Sequence, residues 1–215
     1  MPAEIPIFPL RGVILLPRST LPLNVFEPRY LALVNDALSG DRIIGIIQPE
    51  GSEGEGESPL GRTVALRRFG GAGRLTAFQE TDDNRMLVTL SGIARFEITA
   101  EAGTDLPYRI CSVSYDRFAK DFERGAGEDD VDREKLLSVL KVYLDTNELS
   151  ADWDSINRSA NELLVNTLSM ISPYGPEEKQ ALLEAGTLKE RAEVLIALAE
   201  MELASSDSES GSTIQ

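Results

Sequence analysis

The 215-residue chain contains no histidine and a single cysteine, Cys111. Without an imidazole, a Ser-His-Asp or Cys-His catalytic mechanism is excluded, and the usual nitrogen ligand of zinc and haem sites is missing. One cysteine cannot form a disulfide within the chain, which favours a reducing compartment. We therefore expect no metal and no cofactor, and we interpret Cys111 as a small buried hydrophobe rather than a nucleophile.

Long uninterrupted hydrophobic runs are also missing. The apolar segment near the start, IPIFPLRGVILLPRSTLPLNVFEPRY (residues 5–30), is interrupted by five prolines and three arginines. A membrane-spanning helix needs about 20 consecutive apolar residues, and a secretory signal needs an unbroken apolar core. The prolines instead hold the chain extended or in turns. We expect no membrane partner and predict a cytoplasmic protein.

Positive charge is scarce, and it is unevenly distributed. The chain has 21 basic and 36 acidic residues, with a net charge of −2 in residues 1–120 and −13 in residues 121–215. The phosphate groups of nucleic acids and the surfaces of anionic membranes repel such an acidic second part. This charge distribution argues against nucleic acid as the main partner.

The first part of the sequence has the patterns of β-strands. RIIGIIQ (42–48) is typical of a buried strand, and further strand patterns follow in residues 61–69, 85–98 and 108–118. GGAG (70–73) predicts a turn or a bulge, and residues 49–61, rich in glycine, serine and glutamate, predict a mobile loop. One helix is predicted over residues 28–39, with Pro28 at its first position and Gly40 at its end. Short strands at this spacing favour a sandwich or a small barrel.

The second part changes to a helical period. Apolar residues recur at helical spacing after Asp132, a plausible cap, and again within residues 155–171. Pro176 begins a short helix, and Thr187 with Glu190 forms a capping box that opens a last helix. We predict an α+β fold, with a β domain over residues 1–118, a linker over 119–130, a helical bundle over 131–203 and a disordered tail over 204–215.

The opening phrase and the order of the elements resemble the amino-terminal, substrate-binding domain of the ATP-dependent Lon proteases. The matching positions cover roughly residues 4–203 and include the following stretches: Pro6–Leu10 with Arg11, Pro17, Leu21–Leu23, Phe26–Tyr30, Gly61–Ala65 and Leu90–Phe96. The resemblance implies a PUA-like β pseudo-barrel followed by helices. It also implies a part that captures unfolded or tagged polypeptide.

The catalytic modules of that family are not matched. The complete protease carries an ATPase and a Ser-Lys peptidase, but this sequence contains no G-x-x-x-x-G-K-[ST] phosphate loop. We therefore expect a free-standing member that is not an enzyme. We expect it to bind unfolded or exposed hydrophobic polypeptide segments, and a separate protease or chaperone is a candidate partner.

Candidate binding residues fall in three groups. Apolar residues of the opening segment form either a groove wall for an extended client or simply the barrel core. Arg67, Arg68 and Arg74 form either a docking patch or a solvated strand edge. Two aromatic residues near helix ends line either a cleft between the two parts or a packing interface. The predicted polypeptide-binding residues are Leu21, Leu23, Phe26, Tyr30, Arg67, Arg68, Trp153 and Tyr174, with Val25 as a further groove residue.

Two other functions remain open at this point. An RNA-binding role follows from the PUA-like resemblance and the three arginines, although it conflicts with the net charge. A hydrolase role would need a carboxylate or Ser-Lys site. The carboxylates of Glu128, Asp129, Asp130 and Asp132 lack the spacing of a calcium loop, and we interpret them as a solvated linker and a helix start.

Overall fold

The computed structural model describes residues 1–51, 64–147 and 149–210, and side chains as far as residue 205. Six strands form a mixed sheet in the order β2-β5-β4-β3-β1-β6. Their bounds are β1 Glu4–Pro9, β2 Thr20–Val25, β3 Ile43–Pro49, β4 Leu66–Glu80, β5 Met86–Ala102 and β6 Arg109–Ser114. The helices are α1 Pro28–Ser39, α2 Arg133–Thr146, α3 Trp153–Arg158, α4 Asn161–Ile171, α5 Pro176–Glu184 and α6 Leu188–Ser210. This combination confirms the predicted α+β class.

Five of the strands close into a barrel. β1 pairs with β3 in parallel, and the circuit continues through β4, β5 and β6 in antiparallel pairs until β6 returns to β1. Closure removes open sheet edges along this circuit. Its buried core contains Ile5, Ile7, Ile43, Ile47, Ala72, Phe96, Cys111 and Val113.

The predicted helix over residues 28–39 matches α1. Tyr30, Leu33, Val34 and Ala37 are the buried residues of α1, whereas Leu31 and Leu38 are half-buried. The GGAG segment lies inside β4, and the register shifts between Ala72 and Gly73. The bulge alternative for this segment is therefore the observed one, and the strand continues through it.

The chain divides into two compact units. The first contains Met1–Arg124 and, from much later in the sequence, Pro173–Leu183. The second contains Gly125–Ser172 and the chain from Glu184 onward. Helix α5 thus groups with the barrel, whereas the sequence assigned it to the helical bundle.

Buried hydrogen bonds hold α5 in the first unit. The Gln48 amide donates to the Pro176 carbonyl oxygen at 2.8 Å and to the Gln180 side-chain oxygen at 3.1 Å. The Gln180 amide in turn donates to the Phe69 carbonyl oxygen at 3.2 Å. Buried polar groups need such partners, because an unpaired amide in the interior destabilises the fold.

Helices α2, α4 and α6 form the core of the second unit. The Asp132 carboxylate caps α2 by accepting from the Lys135 amide at 2.9 Å. The capping box is also present, because the Glu190 amide donates to the Thr187 hydroxyl at 3.1 Å and the Thr187 amide donates to the Glu190 carboxylate at 3.3 Å. Residues 155–171, a single helical pattern in the sequence, instead belong to α3 and α4.

Three predicted irregular segments have different outcomes. The predicted linker over residues 119–130 largely folds as two 3-10 segments, Asp116–Phe122 and Glu128–Asp130. The predicted disordered tail begins at residue 204, but α6 continues to Ser210, and residues 211–215 lie outside the described chain. Most of the predicted mobile loop, residues 52–61, also lies outside it.

Among the described helices, none is long and apolar enough to cross a membrane.

Candidate polypeptide-binding surface

Part of the sheet extends beyond the barrel as three strands, which we call the outer sheet. It consists of β2, residues 86–91 of β5 and residues 75–80 of β4. β2 is the last strand in the sheet order, so one of its edges has no strand partner within the described chain. An edge strand presents backbone groups that can pair with an added extended segment.

The inner face of the outer sheet is mainly core. Strand alternation places Leu21, Leu23 and Val25 on the same face. Their cross-strand partners are Leu90, Val88 and Met86, and these three partners are all buried. Val25 is buried as well, whereas Leu21 and Leu23 are half-buried. These predicted groove residues therefore contribute to the core, and two of them keep partial access from outside.

The outer sheet has an exposed apolar side chain at the end of β2, Phe26, and another on the face opposite the core, Leu87. Phe26 follows β2 and is 60% exposed, with the Arg85 guanidinium carbon 5.7 Å from its ring centroid. Leu87 is 45% exposed and pairs with Asn24 on the face opposite Val88. Leu87 could have been found in the sequence, because three successive apolar residues at 86–88 must place one on the other face of a strand.

Phe78 is a third exposed apolar side chain of the outer sheet. It is 51% exposed, and its cross-strand partner on β5 is Val88. A register shift between Leu75 and Ala77 brings it to the same face as Leu75, although the two residues are three apart. Simple alternation therefore could not assign its face.

Tyr30 does not belong to the exposed surface. It is buried, and its ring stacks on Phe8 with the centroids 4.0 Å apart. The Arg29 guanidinium carbon lies 4.6 Å from the same ring. This position fits the core alternative, because the Tyr30 side chain packs α1 against Phe8 of β1.

Two of the three predicted basic residues are paired with carboxylates. Arg67 contacts Glu177 of α5, and Arg68 contacts Glu97 of β5. Arg74 reaches the Asp41 carbonyl oxygen at 3.5 Å. Strand alternation places Arg67 and Arg68 on opposite faces of β4. The positive electrostatic potential that these arginines present to a phosphate group is therefore weaker than their number indicates.

Trp153 and Tyr174 are not brought into one unit. Trp153 begins α3 in the second unit, while Tyr174 precedes α5 in the first unit. Both side chains are half-buried. Their shared role in a cleft stays a prediction.

The acidic residues near residue 130 have local structural roles. The Glu128 carboxylate accepts a hydrogen bond from the Glu162 backbone amide at 2.8 Å. The Asp132 carboxylate caps the start of α2. In the described parts of the chain, no three Asp, Glu or Cys side chains are placed to hold a metal ion.

Cys111 lies in the barrel core and is fully buried. Burial raises the pKa of its thiol from 9.0 to about 11, with a further contribution from the negative charge of Glu101. Only about one thiol in a thousand is then ionised at pH 8, and the thiolate is the reactive form. This environment fits the interpretation of Cys111 as a packing residue.

We expect Cys111 to resist iodoacetamide at pH 8 in the native protein and to react fully in 8 M urea, as measured by mass spectrometry. Because folding raises the thiol pKa, its contribution to stability is complete below about pH 9 and is lost as the pH rises through about 11. Alkylation of the native protein at the rate of the unfolded protein would contradict this expectation.

Comparison with known families gives a match over most of the chain. A family model described as the ATP-dependent protease La (LON) substrate-binding domain matches residues 4–200. Lon protease of Flavobacterium johnsoniae is 29% identical over 199 residues, which cover 89% of this chain and 23% of that protein. Lon protease of Parabacteroides distasonis is 31% identical over 198 residues, covering 87% of this chain and 22% of that protein. The chain thus spans about a quarter of the length of these relatives.

Solved structures show the same fold. A Lon N-terminal domain protein from Xanthomonas campestris has a TM-score of 0.62 at 22% identity, covering 90% of this chain and 97% of that one. The N-terminal domain of a Mycobacterium avium complex Lon protease has a TM-score of 0.65 at 18% identity, covering 92% of this chain and 98% of that one.

Proposed function

Because this chain belongs to the family of ATP-dependent protease La (LON) substrate-binding domains, we propose that it is a non-catalytic module that binds unfolded or exposed hydrophobic polypeptide segments. The observation that carries the proposal is the open edge of β2 together with two exposed apolar side chains near it, Phe26 at the end of β2 and Leu87 on the adjacent strand β5. Hand-over to a separate protease or chaperone, and a cytoplasmic location, stay predictions.

The outer sheet offers the two features that an extended client needs. Backbone groups along β2 pair with an added strand, which provides affinity without sequence selectivity. Phe26 and Leu87 then cover apolar client side chains, which removes hydrophobic surface from water on both partners. Pro22, near the middle of β2, lacks an N–H group and limits uncontrolled pairing with other strands.

A non-catalytic role agrees with the residues present. The sequence has no histidine and no phosphate-loop motif. Lys179 of α5 is buried, and desolvation lowers its pKa to about 8. Its position in the interior of the first unit is not accessible to a polypeptide chain.

The test uses fluorescein-labelled, reduced and carboxamidomethylated α-lactalbumin as the unfolded client and the folded form as its control. We expect saturable binding of the unfolded form alone, measured by fluorescence anisotropy at physiological salt. The double variant Phe26→Ser, Leu87→Ser should weaken this binding by about thirtyfold, because each of the two removed side chains loses apolar burial of roughly 1 kcal/mol. The client should stay intact on a gel after hours of incubation with ATP.

A matched control changes two exposed apolar residues elsewhere. Val142 and Ile171 are 52% and 70% exposed on the second unit. Val142→Ser with Ile171→Ser should leave the dissociation constant unchanged. Equal losses in both double variants would exclude the outer sheet as the binding surface. Equal binding of folded and unfolded α-lactalbumin would exclude the function itself.

A further inference from the structure

A pocket of about 150 Å³ lies on the first unit. It forms where the C-terminal part of α1 meets the beginnings of β1, β3 and β6. None of the residues considered above for polypeptide binding lines it. Its walls combine apolar side chains with a few charged groups, the composition of a small-ligand site.

The floor of the pocket is apolar and rigid. Ile5, Ala37 and Ile43 line it and are buried. Tyr108 forms one wall, is also buried, and donates its hydroxyl to the Asp36 carboxylate at 2.6 Å. This hydrogen bond holds the Asp36 carboxylate at the pocket, so its negative charge has a fixed position.

The rim of the pocket is negative. Glu4, Asp36 and Asp41 line it together with one cation, Arg42. The pocket also lies at the C-terminal end of α1, and the last turn of α1 contains no basic residue. A helix C-terminus carries a partial negative charge that favours a cation. Side-chain charge and helix dipole therefore act in the same direction.

The lining of the site favours an organic cation. The volume of about 150 Å³ leaves room for a small organic group, since a single water molecule needs only about 10–15 Å³ of such space. A bare metal ion does not fit, because no three carboxylates of the described chain are placed to coordinate one. A four-carbon chain ending in an ammonium group matches an apolar floor with an acidic rim.

We propose that this pocket accepts the alkylammonium end of a lysine side chain in a bound polypeptide. The identity of the ligand as part of a client rests on the proposed function, whereas binding of the alkylammonium group does not. The pocket would give the module a preference for clients that carry lysine near an apolar segment. This preference also suits a protein with a net charge of −15.

The first test is independent of any polypeptide. n-Butylammonium chloride, added to the full chain labelled with nitrogen-15, should shift the backbone amide resonances of Asp41, Arg42 and Ile43 saturably. Sodium chloride at equal ionic strength should not. The double variant Asp36→Asn, Asp41→Asn should lose the response. Its fold is preserved, because the amide oxygen introduced by Asp36→Asn can still accept from the Tyr108 hydroxyl. Equal shifts with both salts would overturn the proposal.

The second test distinguishes client lysines from free amines. Two labelled peptides with the same apolar sequence carry either one lysine or norleucine, which has the same stem without the charge. The lysine peptide should bind about fivefold more tightly, as expected for solvent-accessible ion pairs of up to about 1 kcal/mol. In Asp36→Asn, Asp41→Asn the ratio should fall to about one. In the control Asp129→Asn, Glu134→Gln, which removes two exposed carboxylates from the second unit, it should stay near fivefold.

The outcomes separate this proposal from the proposed function. If neither peptide binds, the polypeptide-binding function fails, and the n-butylammonium response still decides whether the pocket holds a cation. If both peptides bind equally to the wild type, the function stands and the lysine assignment is wrong. A fivefold ratio that persists in Asp36→Asn, Asp41→Asn would place the lysine contact at another site.

Discussion

Arg95→Ala is expected to lower the free energy of unfolding by about 3–5 kcal/mol, because it leaves a carboxylate buried without its partner. Arg95 and Asp121 are 3% and 8% exposed, and they form a two-pronged ion pair within the first unit. The Asp121 carboxylate accepts from Nη2 at 2.8 Å and from Nε at 2.9 Å. It also accepts from the Arg95 backbone amide at 2.9 Å.

The same guanidinium connects further elements of the first unit. Its Nη1 donates to the Leu183 carbonyl oxygen of α5 at 2.9 Å, and its carbon lies 4.2 Å from the centroid of the Phe118 ring. The Arg18 guanidinium donates to the Asp121 carbonyl oxygen at 2.9 Å. Removing the Arg95 side chain therefore removes its hydrogen bonds to both the 3-10 segment and α5 in a single step.

Arg68→Ala is the matched control for Arg95→Ala. Arg68 also pairs with a carboxylate and lies 5.5 Å from a phenylalanine ring, but its side chain is 70% exposed. An exposed pair contributes up to about 1 kcal/mol. Urea unfolding followed by circular dichroism should separate the two variants, while the fluorescence of Trp153 reports on the second unit. Equal unfolding midpoints for Arg95→Ala and Arg68→Ala would show that the buried pair does not stabilise the fold.

A paired replacement adds a second check. Arg95→Met with Asp121→Leu removes both charges, so no buried carboxylate is left uncompensated. The double variant should be more stable than Arg95→Ala. Additive destabilisation would show that the two side chains act independently.

Gly92→Ala is expected to destabilise the first unit by on the order of 3 kcal/mol, because the added methyl group has no room. A Cβ atom at Gly92 would lie 1.9 Å from the Leu16 carbonyl oxygen. The obstacle is backbone, and it is fixed on both sides of the glycine. The Arg18 amide donates to the Gly92 carbonyl oxygen, and the Gly92 amide donates to the Ser19 carbonyl oxygen, both at 2.8 Å.

The segment that contacts Gly92 is itself buried and cannot move away. Ile14, Leu15 and Leu16 are at most 3% exposed. Gly71 of β4 contacts the same segment, since a Cβ atom there would lie 1.9 Å from the Leu15 carbonyl oxygen. The two glycines therefore allow the chain between β1 and β2 to lie directly on β4 and β5.

Gly103→Ala provides the control for Gly92→Ala. A Cβ atom at Gly103 would have nothing within 4 Å. Its free energy of unfolding should change by no more than about 0.5 kcal/mol. Thermal unfolding of the three proteins, followed by circular dichroism, measures the difference. A melting temperature for Gly92→Ala equal to that of Gly103→Ala would contradict the expected clash.

Several parts of the fold could be predicted because their signals are local. Pro28 and Gly40 bound α1, Asp132 caps α2, and Thr187 with Glu190 caps α6. Each of these signals depends on hydrogen bonds or backbone angles within about four residues. The strand patterns of β5 and β6 likewise follow from the alternation of side chains, and β3 follows from a short run of β-branched apolar residues.

The exposed part of the candidate site was predicted less completely. Phe26 was identified as an apolar residue of the opening segment, and it is exposed. Tyr30, from the same phrase, is buried against Phe8. Leu87 and Phe78 were not identified, because the pairing of β2 with β5 and the register shift in β4 decide which face each side chain takes.

The sequence by itself determined the α+β class, the separate strand and helix regions, the lack of a histidine-dependent or phosphate-loop site, and the family. Only the tertiary structure decided that α5 joins the barrel and that Arg95 meets partners 26 and 88 positions away. It also decided that Gly71 and Gly92 lie under the chain between β1 and β2. Helix and strand formation depend on neighbouring residues, whereas these contacts depend on which distant segments share one core. No local pattern of residues encodes that choice.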